Sequence, residues 1–184
     1  MSNQSPVRLI FYGGTNRKKG INTMKEIPCE LQGQALAVLN AMTGRAEYLY
    51  HILKAMEEAG VDNPDEILKK AIYRVGQTWG EKLGECENPS VFWNKLVGSD
   101  DMRQILKLDW VRDEGDEVEL HFHRCPLVFG WERMGLEPEM IERLCKIAHQ
   151  VDYGNVESFG FELNMDPGLG CGKERCTLVV RKKE

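Results

Sequence analysis

The sequence has no long hydrophobic run and no long basic stretch that is interleaved with aromatic residues. A membrane-spanning helix needs roughly 18 consecutive apolar residues, and no segment approaches that length. The 24 Lys and Arg residues are outnumbered by 29 Asp and Glu residues, which gives a net charge of −5. An acidic chain of this kind lacks the electrostatic footprint of a nucleic-acid or anionic-membrane binder. We therefore expect neither nucleic acid nor a membrane as a partner.

Several short motifs are also missing. None of the six cysteines forms a C-x-x-C pair, which argues against zinc-ribbon and thioredoxin-type sites. Gly172-Lys173 is followed by Glu174, so the G-x-x-x-x-G-K-[ST] phosphate-binding motif is absent. The apolar run from Val7 to Tyr12 is interrupted by Arg8 and leads into basic residues, unlike a signal peptide with its cleavage site. These features predict a cytoplasmic protein whose cysteines are thiols.

The chain has the size and composition of one globular domain. Its 184 residues are 42% hydrophobic and 29% charged, within the ordinary range for folded proteins. Residues 1–23 differ, because they are Gly-rich, basic and without periodicity, and they are predicted to be a disordered or non-native leader. Lys18-Lys19-Gly20 must be encoded by a purine run resembling a bacterial ribosome-binding sequence, which favours translation starting at Met24. Residues 24–184 are then a single α+β domain.

The first half of that domain is predicted to be helical. Apolar residues recur at spacings of three and four from Leu36 to Met56, the pattern of one long amphipathic helix that ends at Gly60. A second helix runs to about Leu83, and Glu66 in its first turn is placed to complete a capping box. Three residues are suited to cap the helices that follow the first: Asn63, Asn88 and Ser99.

The pattern changes to alternation after residue 106. Apolar residues alternate with polar ones over residues 106–110 and 118–122, and the turn residues at 113–116 make these two segments a β-hairpin. Proline then ends the second strand, and helices are predicted over residues 127–134 and 138–151.

Two more strands are predicted at the end of the chain. Alternating apolar residues cover residues 159–165 and 176–180, and a Gly-rich loop at residues 166–172 joins them. The expected fold class is α+β, with N-terminal helices packed with a four-stranded antiparallel sheet and helices inserted between the second and third strands.

The end of the second strand carries the first candidate site. Side chains two residues apart share a strand face, so His121, His123 and Cys125 are predicted to point the same way. Imidazole and thiolate are ligands for zinc or iron, and an adjacent imidazole can also activate a thiol as nucleophile. The alternative interpretation is the solvated outer face of an amphipathic strand that begins with Glu119.

A second cluster lies in the helix that follows. Cys145, His149 and Asp152 are spaced four and three residues apart, which puts them along one stripe of a helix. Asp152 is placed to orient His149 as a base. Burial of Cys145 in the core is the competing interpretation, because free cysteine is among the most buried residue types.

The Gly-rich loop is the third candidate. Its glycines, Gly170 and Gly172 among them, allow the backbone amides to approach an anionic group closely. Cys171 and Cys176 are candidates to join His121, His123 or Cys125 at a metal, although sequence spacing alone does not bring them together. The alternative is an ordinary turn between two strands.

The order of these features resembles the L-2-amino-thiazoline-4-carboxylic acid hydrolase family. The resemblance covers roughly residues 105–182 and depends on these residues: Cys125-Pro126, Trp131, Gly135-Leu136-Glu137-Pro138, Asp152-Tyr153, and Gly172 followed by Cys176. It implies a small hydrolase that opens a C–N or C–S bond of a cyclic amidine, the thiazoline ring, to give a carbamoyl derivative of cysteine. The longer Gly-rich loop, Cys171 and the His121–His123 pair depart from the family pattern, which leaves the substrate open.

The reaction that the resemblance implies assigns roles to these residues. Cys125 is the candidate nucleophile, or the thiolate that orients a metal-bound water, and His123 is the candidate base. Arg124 is the candidate clamp for the substrate carboxylate, although strand alternation points it away from Cys125. Asp152 matches the family position and would accept from the exocyclic amine or orient His149. The remaining candidates are Gly170, Gly172 and His149 for the substrate, and His121, His123, Cys125 and Cys176 for a divalent metal.

A binding module is the alternative function. The order of helices, sheet, Gly-rich loop and late cysteine is also similar to 4-vinyl-reductase-type domains, which implies binding of a small molecule, tetrapyrrole or metal without turnover. The expected partner in both cases is a small molecule. Apolar residues on the long helices leave a homo-oligomer open.

Overall fold

A computed structural model describes residues 30–183 of the chain, and the predicted leader at residues 1–23 lies outside them. The helices are α1 (Gly33–Glu58), α2 (Pro64–Leu83), α3 (Pro89–Val97), α4 (Asp100–Leu106), α5 (Pro126–Arg133), α6 (Pro138–Ala148) and α7 (Gln150–Glu157). The strands are β1 (Leu108–Asp113), β2 (Glu117–Phe122), β3 (Phe161–Asp166) and β4 (Cys176–Lys182), with a short 3-10 helix at Gly168–Cys171. No helix within residues 30–183 has the length and hydropathy to cross a membrane.

Two of the three predicted N-caps are confirmed. The backbone N–H of Val91 donates to Oδ1 of Asn88 over 2.9 Å, and the N–H of Met102 donates to Oγ of Ser99 over 3.3 Å. Asn63 precedes α2 as predicted, but its backbone is left-handed (φ 53°, ψ 49°) and its side chain makes no capping hydrogen bond. An N-cap is normally extended, so this conformation explains why the predicted capping box does not form.

The four strands make one antiparallel sheet in the order β1-β2-β4-β3. In the pairing of β2 with β4, Leu120 lies opposite Leu178 and Val118 lies opposite Val180, and all four side chains are fully buried. These residues form one face of the sheet, which packs on Phe92 and other apolar residues. The predicted α+β fold, with α5, α6 and α7 inserted between β2 and β3, is confirmed.

Close approach of α2 and α7 holds the helical layer together. A Cβ on Gly76 would overlap the Val151 carbonyl of α7, and one on Gly154 would overlap the Tyr73 carbonyl of α2. Only glycine therefore allows the two backbones to come this close. A second apolar cluster is formed by residues of α1, α2, α5 and α6.

Helix α5 is anchored to α1, and this fixes the start of α5 in space. Trp131 is fully buried and its indole Nε1 donates to the Ala46 carbonyl over 2.8 Å. Gly130 packs directly on Thr43 and Ala46. The first residue before α5 is Cys125, so these contacts position the candidate site.

Candidate functional site

A cavity of about 470 Å³ opens beside the start of α5. Its polar lining comes from the segment before α1, the residue after α4, the segment between β2 and α5, α5 itself and the Gly-rich loop with the residue after it: Glu30, Lys107, His123, Arg124, Cys125, Glu132, Gly172 and Lys173. Its apolar lining consists of Val128, Phe129 and Leu169. The cavity therefore offers a thiol, an imidazole and several charged groups around a small apolar wall.

The cavity forms where β2 stops. The ladder of β2 ends at Phe122, and the next amides both turn to one acceptor, because the N–H groups of His123 and Arg124 donate to the Leu106 carbonyl over 3.1 and 2.9 Å. Pro126 then begins α5. Strand alternation does not extend past Phe122, so the directions predicted for residues 123–125 from a continuous strand do not hold.

Cys125 is the residue immediately before the first turn of α5. Its thiol is desolvated, and burial raises its pKa above the usual thiol value, whereas the amides of Val128 and Leu127 act in the opposite direction. The side chain closes no capping hydrogen bond. At neutral pH the resting form is consequently the protonated thiol, and a base must remove its proton before it can attack carbon.

Arg124 lies in the same cavity as Cys125, contrary to the prediction that it would face away. Its side chain is only 10% exposed. One guanidinium nitrogen, Nη2, lies 2.5 Å from Oε1 of Glu30, and Nη1 donates to the Gln104 carbonyl over 3.4 Å. The early end of β2 is the reason for the change of direction.

His123 also lines the cavity, and it is held by a carboxylate. Its Nε2 lies 2.8 Å from Oδ2 of Asp109. This contact fixes the imidazole and leaves proton exchange to the other ring nitrogen, Nδ1. The prediction of His123 as a base beside Cys125 is compatible with this arrangement.

The predicted metal set is not assembled. His121 does not line the cavity, and its Nε2 lies 2.9 Å from Oε1 of Glu119 instead. The His121 and His123 rings are 6.4 Å apart at their centroids, but Cys125 has left the strand and Cys176 is buried at the start of β4. Within residues 30–183 no three His, Cys, Asp or Glu side chains are placed to hold a metal ion.

Asp152 lies on α7 and does not line the cavity. Its carboxyl forms no hydrogen bond or ion pair with another described residue, and desolvation raises its pKa from 3.8 to about 7. Its charge acts on both Cys125 and Cys176, raising the pKa of each thiol after the larger effect of burial. Asp152 is thus an unpaired acid close enough to influence the candidate nucleophile.

His149 is not oriented by Asp152, so the predicted base-and-orienter pair is wrong. α6 ends at Ala148 and α7 begins at Gln150, which interrupts the continuous stripe that was predicted. The His149 ring packs edge-on against Tyr153 with centroids 5.7 Å apart, and its buried Nδ1 has no hydrogen-bond partner among the described residues. Burial lowers its pKa, which makes His149 a neutral packing residue outside the cavity.

The Gly-rich loop packs inward rather than cradling an anion. A Cβ on Gly170 would overlap the Sγ and Cβ of Cys145, so glycine is required for this contact. Loop amides are used within the protein, because the N–H of Gly172 donates to the Leu169 carbonyl over 3.3 Å and that of Lys173 to the Gly168 carbonyl over 2.9 Å. Of the two glycines predicted to bind substrate, only Gly172 lines the cavity.

The loop also buries two thiols, as expected for structural cysteines. Burial raises the pKa of Cys145 to about 12, and the amide of Gly170 lowers it slightly. Burial likewise raises the pKa of Cys176 to about 12, with the amide of Leu169 acting in the opposite direction. Neither thiol is a reactive nucleophile in this environment.

Sequence reasoning did not identify the other charged groups of the cavity. Lys107 comes from the end of α4 and adopts a left-handed backbone (φ 46°, ψ 58°) there. Lys173 follows the Gly-rich loop, and its Nζ lies 2.9 Å from Oδ2 of Asp166. Glu30 reaches the cavity from before α1. The position of Lys107 at the end of α4 gave a weak indication of its left-handed backbone, since helix C-cap residues often adopt that conformation. Nothing in the sequence indicated that Glu30 would line the cavity.

A search of solved structures shows what the fold is similar to. The crystal structure of a trafficking protein particle complex subunit 3 from Naegleria fowleri, covalently bound to palmitic acid, superposes with a TM-score of 0.50. The two sequences are 16% identical, and the match covers 78% of this chain and 96% of that chain. At this identity the likeness concerns the fold alone. No curated protein sequence matches the chain.

A protein-family model also matches most of the sequence. A family model described as L-2-amino-thiazoline-4-carboxylic acid hydrolase matches residues 42–180. The matched range includes β1, β2, β3 and most of β4, together with α5, the preceding Cys125, and the Gly-rich loop. The chain therefore belongs to the L-2-amino-thiazoline-4-carboxylic acid hydrolase family.

Proposed function

We propose that this protein is a hydrolase that opens the ring of a small cyclic amidine bearing a carboxylate, with Cys125 as the nucleophile. One observation carries the proposal: the Cys125 thiol shares a cavity with a carboxylate-fixed imidazole, His123, and a nearly buried guanidinium, Arg124. A nucleophile, a base and an anion-binding group are the minimum set for attack on an amidine carbon. The family supports the same class of reaction.

The proposed reaction proceeds in two steps. His123 accepts the Cys125 proton as Sγ attacks the ring carbon between nitrogen and sulfur, and the same proton passes to the ring atom that leaves when the C–S or C–N bond breaks. Water then adds to the carbon held on Sγ. One water proton passes through His123 to the nitrogen of the C=N bond, and the other passes to Sγ as the carbonyl forms and the C–Sγ bond breaks, which regenerates the thiol. The net change is addition of one water molecule to the ring.

The charged residues have separate roles in this proposal. Arg124 holds the substrate carboxylate, which places the ring near the neighbouring residue Cys125. Asp109 keeps His123 in one orientation. Asp152 disfavours the thiolate while it is ionised, so its protonated form favours nucleophilic attack.

The test is turnover of L-2-amino-thiazoline-4-carboxylate by purified protein. Cys125→Ala is expected to remove ring opening while leaving the circular dichroism spectrum and melting temperature close to those of the wild type. Cys86→Ala is the matched control, because Cys86 is a half-buried thiol that packs on the sheet core, away from the cavity. Full turnover by the Cys125→Ala protein would reject the nucleophile.

A binding module is the second candidate, and the raised pKa of Cys125 is the observation that favours it. A thiol that stays protonated suits slow covalent or non-covalent capture better than rapid turnover. The structurally similar subunit from Naegleria fowleri is covalently bound to palmitic acid. The charged lining of the present cavity, with Lys107, Arg124 and Lys173, favours a small anionic molecule over an acyl chain, because an apolar chain would remove water from charged groups without offering them a polar contact.

Intact-mass measurement separates the two candidates. Protein purified without reducing agent would carry a stable mass addition on Cys125 if capture is its role, and incubation with the amidine would give no product. A catalyst would show the unmodified mass at rest and accumulate product with time.

A further inference from the structure

One carboxylate and two cations meet in the lining of the cavity. Oε1 of Glu30 lies 2.5 Å from Nη2 of Arg124 and 3.8 Å from Nζ of Lys107. The Arg124 side chain is 10% exposed, whereas that of Glu30 is 50% exposed. A nearly buried guanidinium is therefore paired with an exposed carboxylate that comes from the same chain.

The backbone holds Lys107 at this place in an unfavourable conformation. Lys107 and Asn63 are the non-glycine residues with positive φ within residues 30–183. The left-handed region is disfavoured for a side chain such as lysine, which lacks the local hydrogen bonding that helps asparagine. The conformation ends α4 and brings the ammonium group to the cavity lining.

We propose that Lys107 and Arg124 form a subsite for the carboxylate of a small-molecule ligand, and that Glu30 occupies this subsite as an internal competitor until the ligand displaces it. Glu30 shows which chemistry the two cations accept, since the same oxygen contacts both. The exposed partner is the one that can leave at small cost, because its carboxylate returns to water. Arg124 cannot leave in the same way, since its side chain is nearly buried.

The position of the subsite sets the ligand class. A carboxylate held by Arg124 lies one residue from Cys125, so the ligand must be small, with its ring within reach of Sγ. Planar carboxylates suit the fork of guanidinium donors, and the ammonium of Lys107 adds a second charge. The inference deepens the proposed function by adding Lys107 and the competing Glu30 to the contact between Arg124 and the carboxylate. It rests on the proposed function for the identity of the ring.

The experiment uses two probes that cannot undergo the proposed reaction. L-Thiazolidine-4-carboxylate and its neutral amide, L-thiazolidine-4-carboxamide, have a saturated ring with no amidine carbon, so neither can be hydrolysed as proposed. Binding of each probe to the full chain is measured by isothermal titration calorimetry at low ionic strength. The acid is expected to bind at least about tenfold more tightly than the amide, as for a charge-assisted contact.

Three variants test the parts separately. Glu30→Gln is expected to tighten binding of the acid by about two- to fivefold, because it removes a competitor held by a surface ion pair. Arg124→Gln is expected to weaken binding of the acid by at least about tenfold, and Lys107→Gln by about two- to fivefold. Binding of the amide should change in none of them. If the Arg124→Gln protein does not fold, the Lys107→Gln protein still tests whether these cations bind the carboxylate.

Glu142→Gln is the matched control for Glu30→Gln, because Glu142 pairs with Lys146 on the exposed side of α6 and lies outside the cavity. It should leave the affinity for both probes unchanged. Equal affinity for acid and amide, or no tightening in Glu30→Gln, would overturn the proposal. Carboxylate-selective binding by a protein with no turnover would keep the subsite and reject the hydrolase function.

Discussion

Replacing Asp152 with asparagine is expected to make the stability of this protein less dependent on pH. The Asp152 carboxyl is desolvated and makes no hydrogen bond or ion pair with another described residue, and burial raises its pKa from 3.8 to about 7. In the unfolded chain the same carboxyl titrates near its ordinary value. The native state consequently holds one more proton than the unfolded state between these two pKa values.

The sign follows from linkage. When the native state binds more protons, raising the pH destabilises it, so stability is greatest below the unfolded pKa and falls until the pH passes about 7. Integrating one proton between about pH 5 and pH 8 gives a loss of about 2 to 3 kcal/mol from this residue. Asparagine has a similar shape and no charge, and the variant should not show this loss.

The assay is urea denaturation of the wild type and Asp152→Asn, followed by circular dichroism at several pH values in that window. The stability advantage of the variant over the wild type should grow by about 2 to 3 kcal/mol between pH 5 and pH 8. The quantity compared is the difference in the free energy of unfolding between the two proteins, because the contributions of the other titrating groups cancel in it. A difference that does not change with pH would show that Asp152 ionises as in water and would refute the reasoning.

Three further predictions concern the frame around the cavity. Gly170→Ala should lower the free energy of unfolding by about 1 to 3 kcal/mol, because the new methyl group overlaps Cys145. Gly44→Ala, in open space on α1, should raise it by up to about 1 kcal/mol. Denaturant titration measures both changes, and two variants as stable as the wild type would contradict the prediction. Exposed Cys171 should react at once with a thiol reagent and buried Cys145 only after unfolding, whereas simultaneous reaction in native protein would refute the burial argument. Asn88→Ala should cost about 1 kcal/mol in thermal unfolding by removing the α3 cap, and an unchanged melting temperature would count against it.

The regular elements were predictable because their signals are local and periodic. Apolar spacing located α1, and alternation located the inner face of the sheet, where Leu120 and Leu178 are fully buried. Asn88 and Ser99 were identified as caps from residue type and position alone. Each of these signals involves residues close together in sequence, so tertiary contacts had little to change.

The candidate site was predicted less well because it lies where periodicity ends. The grouping of His121, His123 and Cys125 assumed that β2 continues to residue 125, whereas its ladder ends at Phe122. Two amides then share the Leu106 carbonyl, a contact between distant segments that no local pattern encodes. The prediction of Cys125 as a site residue remains compatible with the structure, because a cysteine before Pro126 lies at a helix start whichever way the strand ends.

The direction of the loop amides decides which groups are left to bind an anion. The amides of Gly170 and Leu169 act on buried thiols, and those of Gly172 and Lys173 donate to loop carbonyls. A backbone cradle for a carboxylate or phosphate therefore has no donors to offer from these four residues, even though the glycine content suggested one. Recognition of an anion in this cavity must then come from side chains, and the guanidinium of Arg124 is the cation that is both nearly buried and adjacent to Cys125. The Gly-rich loop contributes indirectly, because its close contact with α6 through Gly170 holds Gly172 and Lys173 in the cavity lining.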